Sequence, residues 1–298
     1  MPNAENSAGY SGGMAHAEHH YVPAFLLRQW ETGADMKLTS FRWSRGKVAA
    51  SRFKAKSVAK ERHLYSMQRS QVEPDVQVEK EFFSHHVDNP AAVVHAKMLA
   101  SGVSGLSPED KQVWSPFLIS LMLRGPKMIQ HIRRRGREIL SAGLDRSPKE
   151  YLAARGDDPA PTLRNWVETN QPDTLDDLGV MTLPHLTFSE NLNLAVLNVT
   201  WGIRSVHPAK YNLLIGDRPL ILAGTFETRF LLALPISPTK LFFAFNDERT
   251  FANVRAYEQD AFVKATNTST VAAAESYVYA TDAVQQPFVQ KLLRKPRD

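Results

Sequence analysis

Helix signals fill the middle of this 298-residue chain, and from Tyr211 onward short apolar runs cut by Gly, Asp and Pro take their place. Residues 75–100 and 108–140 read as helices, with weaker helical pieces up to Arg155 and over 161–170. The peptide Ser107-Pro108-Glu109-Asp110 is a helix start: Ser supplies the cap, Pro the first turn, and the two acids suit the positive end of the dipole. Farther on, 211–215, 219–222, 230–235 and 241–245 have the length and punctuation of strands, and Ser237-Pro238-Thr239-Lys240 has the residues of a hairpin turn. Helix formers return over 256–276, a strand suits 277–280, and a closing helix suits 284–293. Helices and strands segregated in this way predict an α+β fold, with a helical N-terminal and middle part packed on a small, largely antiparallel C-terminal sheet. No repeat or long linker divides 19–298, so one domain is expected there, behind a polar tail of residues 1–18 that has no apolar face to bury.

The folded part opens with His-His-Tyr-Val-Pro-Ala-Phe-Leu-Leu-Arg-Gln-Trp at 19–30. Pro23, Leu26, Leu27 and Trp30 follow the spacing of one buried helix face, which is expected to dock near the C-terminal sheet, and a short strand is expected over 36–43. On this reading His19 and His20 stand at a helix N-terminus, where unpaired amides favour an anion and disfavour an imidazolium. His20 would then be a neutral base or ligand, with His19 facing solvent.

Apolar residues make up 43% of the chain, enough for a substantial core. The absence of cysteine excludes disulfides, thiolate metal sites and cysteine nucleophiles, and it fits a reducing compartment. With no secretory signal and no apolar run of membrane-spanning length, a soluble, cytoplasmic protein without a membrane partner is expected. A net charge of +5 suits a polyanionic partner such as nucleic acid. Cations crowd one stretch (Arg124, Lys127, Arg133, Arg134, Arg135, Arg137) and the C-terminus (Lys291, Arg294, Lys295, Arg297). No Gly-x-Ser-x-Gly, Walker loop or Gly-x-Gly-x-x-Gly is present, so serine hydrolase and nucleotide-cofactor readings lack their motifs. Phe242, Phe243 and Phe245 are expected in the core rather than stacked on bases.

Taken in order, the 19–30 segment, Leu64-Tyr65-Ser66, Val78-Glu79, the helix end at 118–124, Gly216-Asp217-Arg218-Pro219, Leu234-Pro235-Ile236-Ser237-Pro238 and Asn267 form one pattern. It resembles the bacterial "domain of unknown function 4238" family from about His19 to Asp282. The chain departs from that pattern with Gly-Asp-Arg-Pro where Ser-Asp-Asn-Pro is more frequent, and with Trp30 where Phe is common. The resemblance implies membership of a fold and no activity. It marks His20, Arg124, Asp217 and Asn267 as the candidate site.

Arg124 shares the apolar face of Phe117 and Leu121, so a buried guanidinium is expected, partnered by Asp217, Glu79 or a bound anion, or capping helix carbonyls ahead of Gly125-Pro126. Asp217 follows an apolar strand, where its side chain would start a turn or serve as a working carboxylate. At α-helical spacing Glu81, His85 and Asp88 share a face, which makes them candidate ligands for a divalent metal. The leading expectation is a hydrolase or nuclease acting on a phosphate-bearing substrate, with His20 as acid/base, Arg124 as anion clamp and Asp217 orienting the histidine or binding metal. The alternative is a non-enzymatic binding or interaction module, of the kind used in stress or phage defence, in which the same residues form a structural polar network.

Overall fold

The computed structural model describes residues 18–67, 78–144, 146, 148–207, 209–225 and 228–295, with side chains at all but 79–81, 176, 248, 251 and 255. The polar tail up to residue 17, the start of the predicted 75–100 helix and Arg297 lie outside the described residues. The N-terminal part comprises β1 (Glu18–His20), α1 (Ala24–Leu27) with a 3-10 turn (Arg28–Trp30), β2 (Leu38–Ser44), β3 (Lys47–Phe53) and β4 (Lys60–Arg62). A π-helical segment (Val78–Asp88) leads into α2 (Asn89–Ser101), α3 (Pro108–Leu123) and α4 (Pro126–Leu144). Five short helices follow: α5 (Pro148–Ala154), α6 (Leu163–Asn170), α7 (Pro172–Met181), α8 (Leu183–Thr187) and α9 (Glu190–Leu197). The C-terminal part holds β5 (Thr200–Ser205), β6 (Ile215–Gly216), β7 (Ile221–Ala223), β8 (Leu231–Ser237), β9 (Lys240–Phe245), α10 (Glu248–Ala256), α11 (Gln259–Ala273), β10 (Val278–Ala280) and α12 (Gln286–Leu292).

The fold is α+β and its described sheets are antiparallel. In place of the one small C-terminal sheet expected, the described residues form two four-stranded sheets, ordered β3-β2-β10-β6 and β5-β9-β8-β7, beside the β1-β4 ribbon. The first of these places β10 between the N-terminal hairpin and β6. Pairing over such a sequence distance leaves no local trace, since periodicity reports a strand's faces and not its neighbours.

Local chemistry explains several element ends. Ser107 forms the capping box at α3: Asp110 N–H donates to Ser107 Oγ at 3.2 Å, and Ser107 N–H to Asp110 Oδ2 at 3.0 Å. The helix predicted over 108–140 is two helices, because Pro126 disfavours α geometry at Gly125 and restarts the chain as the first residue of α4. Only the end of the predicted strand at 211–215 pairs, as β6; Leu214 N–H is held by the Asn267 side chain instead.

The β5-β9-β8-β7 sheet is covered on both faces, which accounts for its nearly continuous apolar runs. Leu232, Leu234, Ile236, Phe242 and Ala244 join the main core with Trp30, Trp114 and Phe117, while Ala233, Leu241, Phe243 and Phe245 meet Phe262 and Val263 of α11. A third core packs Phe41, Val48 and Val278 on Val271 and Val289. Pro23, Leu26, Leu27 and Trp30 are buried as their spacing predicts, and Trp30 Nε1 donates to Leu213 O at 2.7 Å.

The approach of α4 to α7 depends on two glycines. A Cβ on Gly179 would sit 2.6 Å from Ile132 O and 2.9 Å from Arg133 Cα, and one on Gly136 would sit 2.8 Å from Gly179 Cα. Gly179→Val is therefore expected to cost about 1–3 kcal/mol or more by overpacking, read as a lower urea midpoint with the slope unchanged. A midpoint equal to that of the parent chain would refute the close crossing.

Candidate functional site

The two histidines of the opening motif lie in a strand rather than at a helix end. β1 pairs with β4 in the register Glu18↔Arg62, His19↔Glu61 and His20↔Lys60, and Lys60 pairs with Glu18. Strand alternation sends neighbouring side chains to opposite sides, so His19 is the buried member and His20 is half-buried, the reverse of the expected order. His20 Nε2 lies 3.2 Å from Lys56 O, to which it donates. α1 has four helical residues and begins beyond Pro23, so the expected helix-terminal field is not what acts on His20. Burial is the largest influence on its imidazole and shifts its pKa downward.

Around His19 the chain builds a buried hub. Its ring stacks on Tyr65 at 5.4 Å, and Tyr65 N–H donates to His19 Nδ1 at 2.9 Å, which leaves the proton of the neutral ring on the buried, unpaired Nε2. Burial first, then the charges of His63 and His20, push His19 down to about 4. The Tyr65 hydroxyl donates to Arg124 O at 2.8 Å, with His20 O at 3.4 Å. Arg124 is 0% exposed, and its Nη1 donates to both Asp88 oxygens at 2.9 and 3.1 Å. The guanidinium carbon lies 5.3 Å from the Phe83 ring centroid and 5.7 Å from that of Phe117, so aromatic faces stand where Nε and Nη2 find no acceptor. Burial raises the Asp88 carboxyl, against the pull of Arg124.

Asp88 thus partners Arg124 where Asp217 or Glu79 is expected, the Glu79 side chain lying outside those described, and Asp88 is diverted from the expected metal set. α-Helical spacing puts the three candidate ligands on one face, but the segment is π-helical, and its wider turn moves Asp88 off that face. His85 is exposed, the side chain of Glu81 is outside those described, and no group arranged to hold a metal ion occurs among the described residues.

Asp217 reaches beyond its own turn. Its Oδ1 accepts from Glu275 N–H at 2.7 Å, and its Oδ2 from Ser276 and Tyr277 N–H at 2.7 and 2.9 Å. The carboxylate therefore ties the end of α11 and the start of β10 to β6. These bonds engage main-chain amides rather than His20 or Arg124, and the charge of Asp217 falls on Tyr21, whose phenol is raised first by burial and next by this carboxylate. Asn267 is equally engaged, accepting from Leu214 N–H at 2.8 Å and donating to Asn212 O and Gln285 Oε1, each at 2.9 Å. The structure brings His20 and Arg124 to one hub and leaves Asp217 and Asn267 in two others.

The accessible chemistry next to the hub lies along α4. A cavity of about 510 Å³ is lined by Arg62, His63 and Ser66 and by Gln130 and Arg133. Arg133 Nη2 donates to Ser66 O at 2.9 Å and to Leu64 O at 3.4 Å, while His63, in left-handed backbone at φ 56°, sets its Nδ1 3.1 Å from Ser66 Oγ. On the other side of α4, a hollow of about 170 Å³ is lined by Lys127, Met128, His131, Asp217, Arg218 and Glu275. Arg62, Lys127 and Arg134 are exposed between and beside these hollows.

The family model described as "Protein of unknown function (DUF4238)" matches residues 18–283. The chain belongs to this family. No curated protein and no solved structure matched it. Within the family's span, the histidine motif, Leu64-Tyr65-Ser66 and Arg124 are distant in sequence and form one hub in space. Sequence reasoning misses Tyr65, Asp88, His63 and Arg133 as a group, and for Tyr65 the only sequence signal is its place in the family pattern.

Arg124→Met should cost about 3–5 kcal/mol by leaving Asp88 half-buried and unpaired, and adding Asp88→Leu should recover much of that loss in a double-mutant cycle. Additive losses would deny the pair. His19 binds its proton less readily when folded, so its stabilising state is fully present above pH 6.5 and is lost as the pH falls from 6.5 through about 4. Urea titrations across this window should show that acid limb in the parent chain and a weaker one in His19→Asn, whose Oδ1 can take the Tyr65 amide; identical limbs would refute the assignment.

Proposed function

We propose that this protein is a non-enzymatic binding module for a phosphate-bearing polyanion, nucleic acid in the first instance, which it holds along the basic face of α4 and the adjoining 61–66 turn. The observation that carries this reading is how the candidate site residues are used: Arg124 is enclosed and paired with Asp88, and Asp217 and Asn267 are engaged by buried backbone partners. Groups held in this way build a surface rather than meet a substrate. The surface they support presents Arg62 and Arg133 at one hollow and Lys127 and Arg218 at the other, with Arg134 exposed beside them on α4. Glu61 lines the first hollow, Glu275 and Asp217 the second, and Asp177 and Glu138 stand 3.7 and 3.9 Å from Arg133 and Arg134. Lys127 and Arg218 stand only 3.7 and 3.8 Å from Glu275, loose pairings that a phosphate could replace. Hydrolysis by His20, Arg124 and Asp217 has less support, because Asp217 is tied to a separate hub.

Fluorescence anisotropy with labelled single-stranded RNA and duplex DNA, measured over a salt series, tests the reading. Binding should weaken as salt rises, and Arg62→Glu, Lys127→Glu and Arg134→Glu together should weaken it severalfold or more and flatten the salt slope by about one for each phosphate no longer neutralised. Unchanged binding by the folded triple variant, or no binding at low salt, would refute the proposal. Nucleic acid recovered as cleaved product, with cleavage abolished in His20→Ala, would favour the hydrolase instead.

A further inference from the structure

A larger cavity lies away from α4, between α11, α12 and the 210–212 segment. Its volume is about 770 Å³, a size typical of small-molecule sites. The floor is fixed by a closed set of amides: besides its bonds to Asn212 O, Gln285 Oε1 and Leu214 N–H, Asn267 shares Asn212 O with Gln285 Nε2, which donates to it at 2.9 Å. This gives Asn267 a positioning role and leaves the cavity preformed. Its lining carries Lys210, Lys264 and Lys291, and among the described residues none of these has a carboxylate within 4.0 Å. Among the described residues Asp260 is the one carboxylate in the lining, and its Oδ1 accepts from Lys210 N–H at 2.9 Å. Between the cations stand apolar walls, with Phe288 partly buried and Tyr211 42% exposed, the Lys210 ammonium lying 5.4 Å from the Tyr211 ring centroid.

Ammonium groups without a carboxylate partner and partly exposed rings in one hollow make complementary demands. A bare inorganic anion leaves the rings in water, and a neutral apolar compound leaves the lysines without counter-charge. A strand of nucleic acid calls for cations tracking along a groove, whereas here they surround a single concavity. We propose that this cavity binds a small amphipathic organic anion, its phosphate or carboxylate head among Lys210, Lys264 and Lys291 and its flat apolar body against Tyr211 and Phe288. This site is separate from the α4 face and does not depend on what that face binds.

The probe is 1-naphthyl phosphate, titrated into the full chain by calorimetry, with 1-naphthol and inorganic phosphate as partial ligands. Saturable binding of the whole probe, with each partial ligand weaker by about tenfold or more, is expected, as is a loss of about tenfold in the Lys264→Glu, Lys291→Glu double variant. Tyr211→Ala should weaken the probe severalfold with the lysines intact, which tests the role of the ring should the double variant fail to fold. The Arg62→Glu, Lys127→Glu, Arg134→Glu variant should bind the probe as the parent does. No binding, equal affinity for a partial ligand, or a loss confined to the α4 variant would each overturn the assignment.

Discussion

Arg124 is a cation with none of its surface exposed, and the arrangement that makes this tolerable organises the N-terminal half of the molecule. Removing a guanidinium from water costs several kcal/mol unless charge and hydrogen bonds replace the solvent. Asp88 supplies the charge, Phe83 and Phe117 the ring faces, and the Tyr65 hydroxyl holds the backbone carbonyl of the same residue. These groups come from the π-helical segment, α3 and the turn after β4. Tyr65 then extends the hub to His19 of β1. One buried charge thereby sets where four segments meet.

Asp217 and Asn267 solve a similar problem elsewhere. Each replaces missing secondary-structure partners with side-chain atoms: Asp217 accepts three amides where α11 gives way to β10, and Asn267 accepts the amide of Leu214 just before β6. A buried carboxylate or carboxamide satisfying main-chain amides is costly to lose, because the amides would be left unpaired. This gives the polar positions of the family pattern a physical reason to be polar without assigning them a reaction. The same rigidity presents the turn at 61–66 and the adjoining face of α4 to solvent in a defined shape.

Local features of the fold are legible where short-range chemistry decides them. The Ser107 capping box, the Ser237-Pro238-Thr239-Lys240 hairpin and the buried stripe of Pro23, Leu26, Leu27 and Trp30 all stand as their residues predict. The apolar C-terminal runs are legible as strands, but β10's place beside β2 is not, since pairing partners far apart in the chain share no local signal. A helix reading carried back across Pro23 misplaces residues 19 and 20; with strand alternation the inward residue becomes His19. For Glu81, His85 and Asp88, the α-helical period is the wrong ruler, because the segment that holds them is π-helical.

The sequence by itself determined the fold class, the start of α3, the strand cores of β2, β8, β9 and β10, the absence of thiol chemistry and the membership of a family, because these depend on residue type, short-range periodicity and ordered motifs. It also required that Arg124 be buried and find a partner. Only the tertiary structure decided that the partner is Asp88, that Asp217 and Asn267 serve separate hubs, and that lysines from distant segments surround one cavity. Those outcomes depend on which segments meet in space, and a side chain's chemistry states what it needs without stating which distant residue will supply it.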